Sequence, residues 1–311
     1  MRGNSRVKPL LKPGVFSLVI PARNAEWNIA DLIQDVYAYC SLPAEIIVVA
    51  NGCDDDTALV AQGLSSGQVP VRVLSFDEPL GPYRAIRMGI EAAQSDIVAV
   101  IESDCRIPNV TRSRIRPKLC HDPLGYIVYV VYKNLISVAY PGIVNVEMPH
   151  VYQERAITIS RISHDMLDII RQESNMHLEP LRRWPGFKRC ITNCFSRRVF
   201  AVKKDLFLSV DLQPPFDHHM VWNAALALEW YSSGVSELCF TSTDIIVAHY
   251  AAKPPKPHDD PTWPPSDLNL REEFSRRYLK VFEELEQSLF SQFKPQLVSQ
   301  RIISLHERPL W

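Results

Sequence analysis

Val98-Ala99-Val100-Ile101-Glu102-Ser103-Asp104 is an apolar, β-favouring run that ends in two carboxylates one residue apart. A buried strand carrying acids at its C-terminal end delivers them to the crevice where parallel α/β sheets bind ligands. Oxygen donors of this kind suit Mg²⁺ or Mn²⁺, and such an ion in turn suits a diphosphate. A strand followed by an ordinary polar turn has the same pattern. The segments upstream decide between the two.

Phe16 to Pro21 reads as a first buried strand, stopped by proline. Asn24 is placed to cap a following helix, with Glu26 in its first turn and Ile29, Leu32, Ile33, Val36 and Cys40 at helical spacing. Glu45 to Val49 is a second strand. It runs into Asn51-Gly52-Cys53-Asp54-Asp55-Asp56-Thr57, a turn whose aspartates suit the start of the next helix, Ala58 to Gln62, better than a second metal site. Val71 to Phe76 is a third strand, Gly81-Pro82 a break, Tyr83 to Gln94 a helix, and Asp96 to Ile101 the fourth strand. Strands and helices alternating in this way predict an α/β fold with a mostly parallel central sheet and helices on both faces. Right-handed crossovers then bring Pro21 to Asn24, Asn51 to Asp55 and Glu102 to Asp104 to one edge.

This arrangement resembles the family 2 glycosyltransferases, which have the GT-A fold. Their usual opening is a strand, then Pro-x-x-Asn-Glu, a strand ending Asp-Asp-Gly-Ser-x-Asp, a Gly-rich turn with an Ala/Asn/Gly helix, and a strand ending Asp-x-Asp. Here those parts are Pro21-Ala22-Arg23-Asn24-Ala25, Ala50-Asn51-Gly52-Cys53-Asp54-Asp55, Gly81 through Gly89, and Glu102-Ser103-Asp104. The resemblance covers residues 15–110 and, more weakly, 187–250. It implies a donor pocket for a nucleotide-diphosphate sugar built from Pro21, Ala22, Asn24, Asn51, Gly81, Arg84, Glu102 and Ser103. It also implies that Asp104 binds Mn²⁺ or Mg²⁺, with His249, at the end of the apolar run Ile245 to Val247 and Ala248, completing the ion's shell.

Several positions depart from the family pattern. Ala50 stands where a base-reading acid is usual, and Asn51 after it offers a donor as well as an acceptor. Glu102 replaces the first Asp of Asp-x-Asp, and its longer side chain shifts the oxygens outward. Arg84 and Arg87, three apart, share a helix face that suits either a diphosphate or solvent. For the base that deprotonates the acceptor, the nearest match to the family's Glu-Asp is Pro214-Pro215-Phe216-Asp217-His218-His219. Asp217 is the candidate, His218 or His219 the alternative, and an N-cap for the helix Val221 to Tyr231 the competing use of Asp217.

The rest of the chain is less informative. Residues 109–185 fit the family poorly and suggest an insertion. Within it, Tyr126 to Tyr132 alternates aromatic and aliphatic residues as a strand would. Phe187 to Phe200, with Asn193, Arg197 and Arg198, resembles an acceptor-side segment, although arginines are mostly solvated. The expected organisation is a GT-A domain over 1–252 (donor half 15–105, acceptor half 106–252), a Pro-rich linker over 253–269 and a helical extension over 270–311. In that extension Phe274, Tyr278, Val281, Phe282, Leu285, Leu289 and Phe293 form an apolar stripe. It suits packing onto the catalytic domain first, and a homodimer or a membrane surface second.

Composition narrows the classes. A net charge of −1 gives no basic excess, so nucleic acid is not an expected partner. Seven cysteines without paired spacing argue against both a disulfide framework and zinc, and favour a reduced, cytoplasmic chain, with the inner membrane face as the second location. No signal peptide is expected from the basic, proline-broken start. The Gly-x-Gly-x-x-Gly turn of a dinucleotide oxidoreductase is missing, as is the Gly-rich signature of a sugar-1-phosphate nucleotidyltransferase. The expectation is therefore a metal-dependent, inverting glycosyltransferase acting on a glycan, a lipid-linked or another hydroxyl acceptor. The alternative is a non-catalytic sugar-nucleotide or glycan-binding protein on the same fold.

Overall fold

The computed structural model describes residues 11–65, 69–107, 122–133, 137–147, 190–192, 195–217, 222–235 and 239–251, together with 273, 276–278, 280, 281 and 284. The linker expected over 253–269, the histidines at 218 and 219, Asn193 and most of 109–185 lie outside the described residues.

The first four strands are β1 (Ser17–Ala22), β2 (Glu45–Asn51), β3 (Val71–Phe76) and β4 (Ile97–Ile101). They lie in the order β3-β2-β1-β4, all parallel, with β1 in register against both β2 and β4. The chain works outward from β1 to β3 and then returns to the other side of β1 as β4. The gap between the ends of β1 and β4 is thus the topological switch point, where open α/β sheets bind ligands. The helices between these strands are α1 (Glu26–Tyr39), α2 (Thr57–Gln62) and α3 (Pro82–Ala92).

Alternation along each strand fills two cores. Leu18, Ile20, Ile46, Val48, Ala99 and Ile101 pack with Ile29, Leu32, Ile33 and Val36 of α1 on one face. Val19, Ile47, Val49, Val98 and Val100 pack with Tyr83, Ile86 and Ile90 of α3 on the other. A sheet buried on both faces explains why these strands read as unbroken apolar runs. Gly89 is fixed by this packing, since a Cβ there would collide with Val19 and Val49.

Beyond β4 the sheet turns antiparallel. The strands are β5 (Cys105–Arg106), β6 (Val138–Glu147), β7 (Cys190–Thr192), β8 (Val199–Lys203) and β9 (Cys239–Ala251). β8 pairs antiparallel with β4 and β6, β6 runs parallel to β9, and β5 and β7 both pair antiparallel with β9. Three more helices, α4 (Pro123–Tyr132), α5 (Lys204–Leu208) and α6 (Trp222–Ser232), complete the described elements.

One expectation is overturned here. Tyr126 to Tyr132 is not a strand but most of α4. Asp122 caps it, accepting from the Gly125 amide at 2.8 Å, and Pro123 occupies the first turn, where its fixed φ favours a helix. Leu124, Ile127, Val128 and Val131 are fully buried toward the sheet, while Tyr132 is 49% exposed. An unbroken apolar run carries both periods at once, and the start signal at Asp122-Pro123 decides between them. Among the described residues, no helix is long and apolar enough to cross a membrane.

Candidate metal and donor site

The site is built on the turn that follows β4. The Glu102 amide donates to the Arg198 carbonyl at 2.8 Å, extending the pairing with the edge of β8. The Ser103 amide reaches the Pro21 carbonyl at 3.3 Å, and the Cys105 amide returns to the Glu102 carbonyl at 3.0 Å. β5 then runs against β9 with Cys105 opposite His249. This register brings a residue 145 positions away in the chain to the carboxylate: His249 Nε2 lies 3.0 Å from Asp104 Oδ2. The imidazole is nearly enclosed, whereas the Asp104 side chain keeps 35% of its surface open.

Helix α1 holds this turn from below. Asn28, buried on the apolar face of α1, donates through Nδ2 to the carbonyls of Ser103 at 2.7 Å and Cys105 at 3.1 Å. Further along the helix, Asp35 accepts from Arg106 Nε at 2.6 Å and from the Ile107 amide at 3.2 Å. Burial raises the Asp35 carboxyl despite the pull of the Arg106 guanidinium. Neither residue belongs to a site motif, although a polar side chain on the stripe of Ile29, Leu32, Ile33 and Val36 is a readable sign of a buried hydrogen-bonding task.

Glu102, Asp104 and His249 each offer a ligand atom, and these atoms lie within 4.8 Å of one another. Neighbouring ligands on an octahedral ion with bonds near 2.1 Å are about 3 Å apart, which matches the His249–Asp104 separation. Two carboxylates and an imidazole form a donor set suited to Mn²⁺ or Mg²⁺, so the residues fit the expected ion. A cation already lies between the acids. Arg198 Nη1 donates to Glu102 Oε2 at 2.5 Å and stands 3.5 Å from Asp104 Oδ2. Burial raises the Glu102 carboxyl, Arg198 pulls it down and Asp104 pushes it up again. Arg198 is thus no solvated surface arginine, which corrects the reading of that segment from sequence. Burial keeps the neighbouring Cys105 thiol protonated.

The loops after β1 and β2 interlock. Asn24 does not cap α1: it adopts a left-handed backbone, φ 51°, and its Oδ1 accepts from the Asp54 amide at 2.9 Å. Capping comes instead from the neighbouring loop. The Ala25 amide donates to Thr57 Oγ1 at 2.8 Å, and the Glu26 amide to Asp55 Oδ2 at 3.0 Å. Asp55 also takes the Thr57 hydroxyl and amide protons. Partial burial works to raise its carboxyl, but these hydrogen bonds prevail and lower it.

Asn51 is engaged on both sides of its amide: Nδ2 donates to the Leu80 carbonyl at 3.0 Å, and Oδ1 accepts from the Leu80 amide at 2.6 Å. It ties the end of β2 to the loop entering α3. Gly52 follows with φ 63°, and a Cβ there would come within 2.7 Å of the Pro79 nitrogen, so the position leaves no room for a side chain.

Asp217 lies at the N-terminus of α3, not of α6. Its Oδ1 accepts from the Tyr83 amide at 2.8 Å, its Oδ2 is 3.6 Å from Arg84 Nε, and it crowds Gly81 so closely that a Cβ there would clash. Burial raises its carboxyl, against the pull of the Tyr83 and Arg84 amides and the Arg84 guanidinium. Arg84 is about half exposed. Arg87, by contrast, turns inward to the Tyr83 hydroxyl at 3.1 Å and the Val210 carbonyl at 2.6 Å, which removes it from the phosphate-binding candidates.

Residues 17–167 match the family model for glycosyl transferase family 2. This part of the chain is a family 2 glycosyltransferase domain. Curated relatives of the domain include glycosyltransferase AglE of Haloferax volcanii, 33% identical over 91 residues, which are 29% of this chain and 30% of that protein. The succinoglycan biosynthesis protein ExoU of Rhizobium meliloti is 31% identical over 92 residues, 30% of this chain and 27% of that protein. A dolichyl-phosphate β-glucosyltransferase of Drosophila melanogaster is 30% identical over 99 residues, 29% of this chain and 30% of that protein. The chain thus matches under a third of the length of each of these relatives. Among solved structures, the mannosyltransferase PcManGT of Pyrobaculum calidifontis, in complex with GDP-Man and Mn²⁺, superposes with a TM-score of 0.50 at 13% identity, over 82% of this chain and 62% of that one. The likeness shows a shared GT-A fold.

The site residues expected from the sequence fall into three connected groups, two of which draw His249 and Asp217 from beyond the matched residues. Glu102, Ser103, Asp104 and His249 meet at the acidic turn, with Pro21 contributing its carbonyl. Ala22 ends β1 in register with Ala50 and accepts from Cys53 Sγ at 3.5 Å, beside the Asn24 latch. Asn51, Gly81, Arg84 and Asp217 gather around the start of α3.

Proposed function

We propose that the chain transfers a sugar from a nucleotide-diphosphate donor to an acceptor, with Mn²⁺ or Mg²⁺, and with inversion at the transferred carbon. The carrying observation is that Glu102, Asp104 and His249 converge at the switch point of the parallel sheet, beside the β1 loop. A divalent ion on these ligands supplies Lewis-acid stabilisation of the charge on the departing diphosphate. Asp104, the more open carboxylate, is the principal ligand, and His249, oriented by its place in β9, is the second. Arg84, half exposed at the start of α3, is the cation that faces the anionic donor.

Asp217 is the group assigned to accept the proton from the acceptor hydroxyl. Its raised carboxyl is the better base for that task, because proton transfer gains as the base's pKa approaches the working pH. The relatives' names include a lipid-phosphate glucosyltransferase, which makes lipid-linked acceptors the first class to test beside free glycans. A lipid-linked acceptor would place the chain at a membrane surface, and a glycan acceptor would place it in polysaccharide assembly.

The test is release of free sugar or product from a panel of nucleotide sugars with Mn²⁺. Asp104→Ala should abolish turnover and the binding of Mn²⁺ together. Asp217→Asn should lower turnover by roughly 10²- to 10⁴-fold while leaving nucleotide binding intact. Turnover that survives Asp104→Ala, or that occurs equally in chelator, overturns the reading.

A further inference from the structure

Glu102 and Asp104 are claimed twice in this fold. They belong to the metal-ligand cluster, and they also hold the Arg198 guanidinium, with Nη1 at 2.5 Å from one and 3.5 Å from the other. Asp104 Oδ2 is shared most directly, since it faces His249 Nε2 at 3.0 Å as well. A divalent ion on the same oxygens and a guanidinium at these distances would repel each other across a few ångströms. The Arg198 backbone is fixed, because its carbonyl takes the Glu102 amide and Val199 begins β8. Its side chain is about a quarter exposed, so it has somewhere to go.

We propose that Arg198 is a built-in counter-cation of the metal site. It offsets part of the negative charge of the Glu102–Asp104 pair until a divalent ion takes those oxygens. It then turns to the diphosphate oxygens of the donor, for which its planar fork is suited. Ion and nucleoside diphosphate therefore bind as a coupled pair: the ion alone must displace Arg198 with nothing to receive it, whereas the diphosphate provides that receiver. The consequence is weak binding of the bare metal and strong binding of the metal with nucleotide. This rests on the metal-dependent reading above, and extends it to a residue that acts on ion binding before any chemistry.

The experiment titrates Mn²⁺ alone into the full chain and follows the free ion by its EPR signal, in wild type, Arg198→Met, Arg198→Lys and Asp104→Asn. Arg198→Met is expected to bind Mn²⁺ roughly tenfold more tightly than wild type, within the usual range for coupled sites. Arg198→Lys, a point charge without the fork, is expected to lie between them. Thermal melts with Mn²⁺, with UDP or GDP, and with both complete the test. In wild type the two ligands together raise the melting temperature by more than their separate shifts combined, and in Arg198→Met that excess is lost. Should Arg198→Met fail to fold, Arg198→Lys decides in its place: Mn²⁺ affinity above that of wild type supports the proposal, and affinity at or below it overturns it. Mn²⁺ binding that is unchanged or weaker in the Arg198 variants, while Asp104→Asn loses it, overturns the role of Arg198 and leaves the metal site standing. Mn²⁺ binding that Asp104→Asn leaves intact overturns the metal site and this proposal with it.

Discussion

Asn51 shows how one side chain constrains a whole site. Its amide makes a two-point clasp on the Leu80 peptide, a pattern that needs one donor and one acceptor. A carboxylate in its place could accept from the Leu80 amide but would press its second oxygen on the Leu80 carbonyl. Asn51→Asp is therefore expected to cost about 1–3 kcal/mol, the range for leaving a buried polar group unmatched, read as a lowered urea midpoint with unchanged slope. The residue is visible in the sequence as a departure from an acidic pattern. Its reason is not, because Leu80 is 29 positions away and only the folded loop brings its peptide alongside. Arg198 is the sharper case. Nothing local separates it from an exposed arginine, and its partners at 102 and 104 lie nearly a hundred residues upstream.

At the level of elements, helix ends carry most of what the sequence leaves ambiguous. The Asp54-Asp55-Asp56 run does start a helix, but Asp55 serves α1, across a loop, as well as its own. The folded carboxyl lies below its ordinary value, so its contribution is fully present above the unfolded pKa and is lost as pH falls through the folded one. Asp55→Ala is expected to destabilise by about 1 kcal/mol at neutral pH, the usual worth of a cap. The deficit relative to wild type should shrink as pH drops below about 4, which denaturation at a series of pH values will show. Asn24, the capping residue expected from position alone, instead sits in a left-handed turn. That φ aims its side-chain oxygen at the Asp54 amide. The α4 segment misleads for a different reason, since a run apolar on nearly every residue satisfies a two-residue and a helical period equally.

For the molecule as a whole, the parallel half of the sheet is readable to within a residue or two, because β1, β2 and β4 are built on apolar runs and β3, although it carries Arg72 and Ser75, is rich in β-favouring residues between clear breaks. The antiparallel half is readable only at the apolar run Ile245 to His249, which lies within β9. β5 is two residues long and β7 three, and both exist only through pairing with β9. The tail presents a related long-range contact. Tyr278 is buried, donates its hydroxyl to Glu229 of α6 at 2.7 Å, and sets its ring edge-on to Phe216 at 5.2 Å, next to Asp217. Arg277 pairs with the same glutamate at 2.9 Å. Tyr278→Ala is expected to cost about 3 kcal/mol through the cavity it leaves, and Tyr278→Phe only about 1 kcal/mol for the hydroxyl, compared by thermal unfolding.

The latch between the loops after β1 and β2 has a kinetic corollary. Asn24 holds Asp54, Glu26 reaches Asp56, and Asp55 and Thr57 hold the first amides of α1, so opening either loop breaks the other's bonds. The pair must breathe as one cooperative unit. A nucleotide that touches a single side of that unit should slow amide hydrogen exchange on both, from Asn24 to Asn28 and from Asp54 to Thr57 together. Protection confined to one stretch would mean that the two halves open independently.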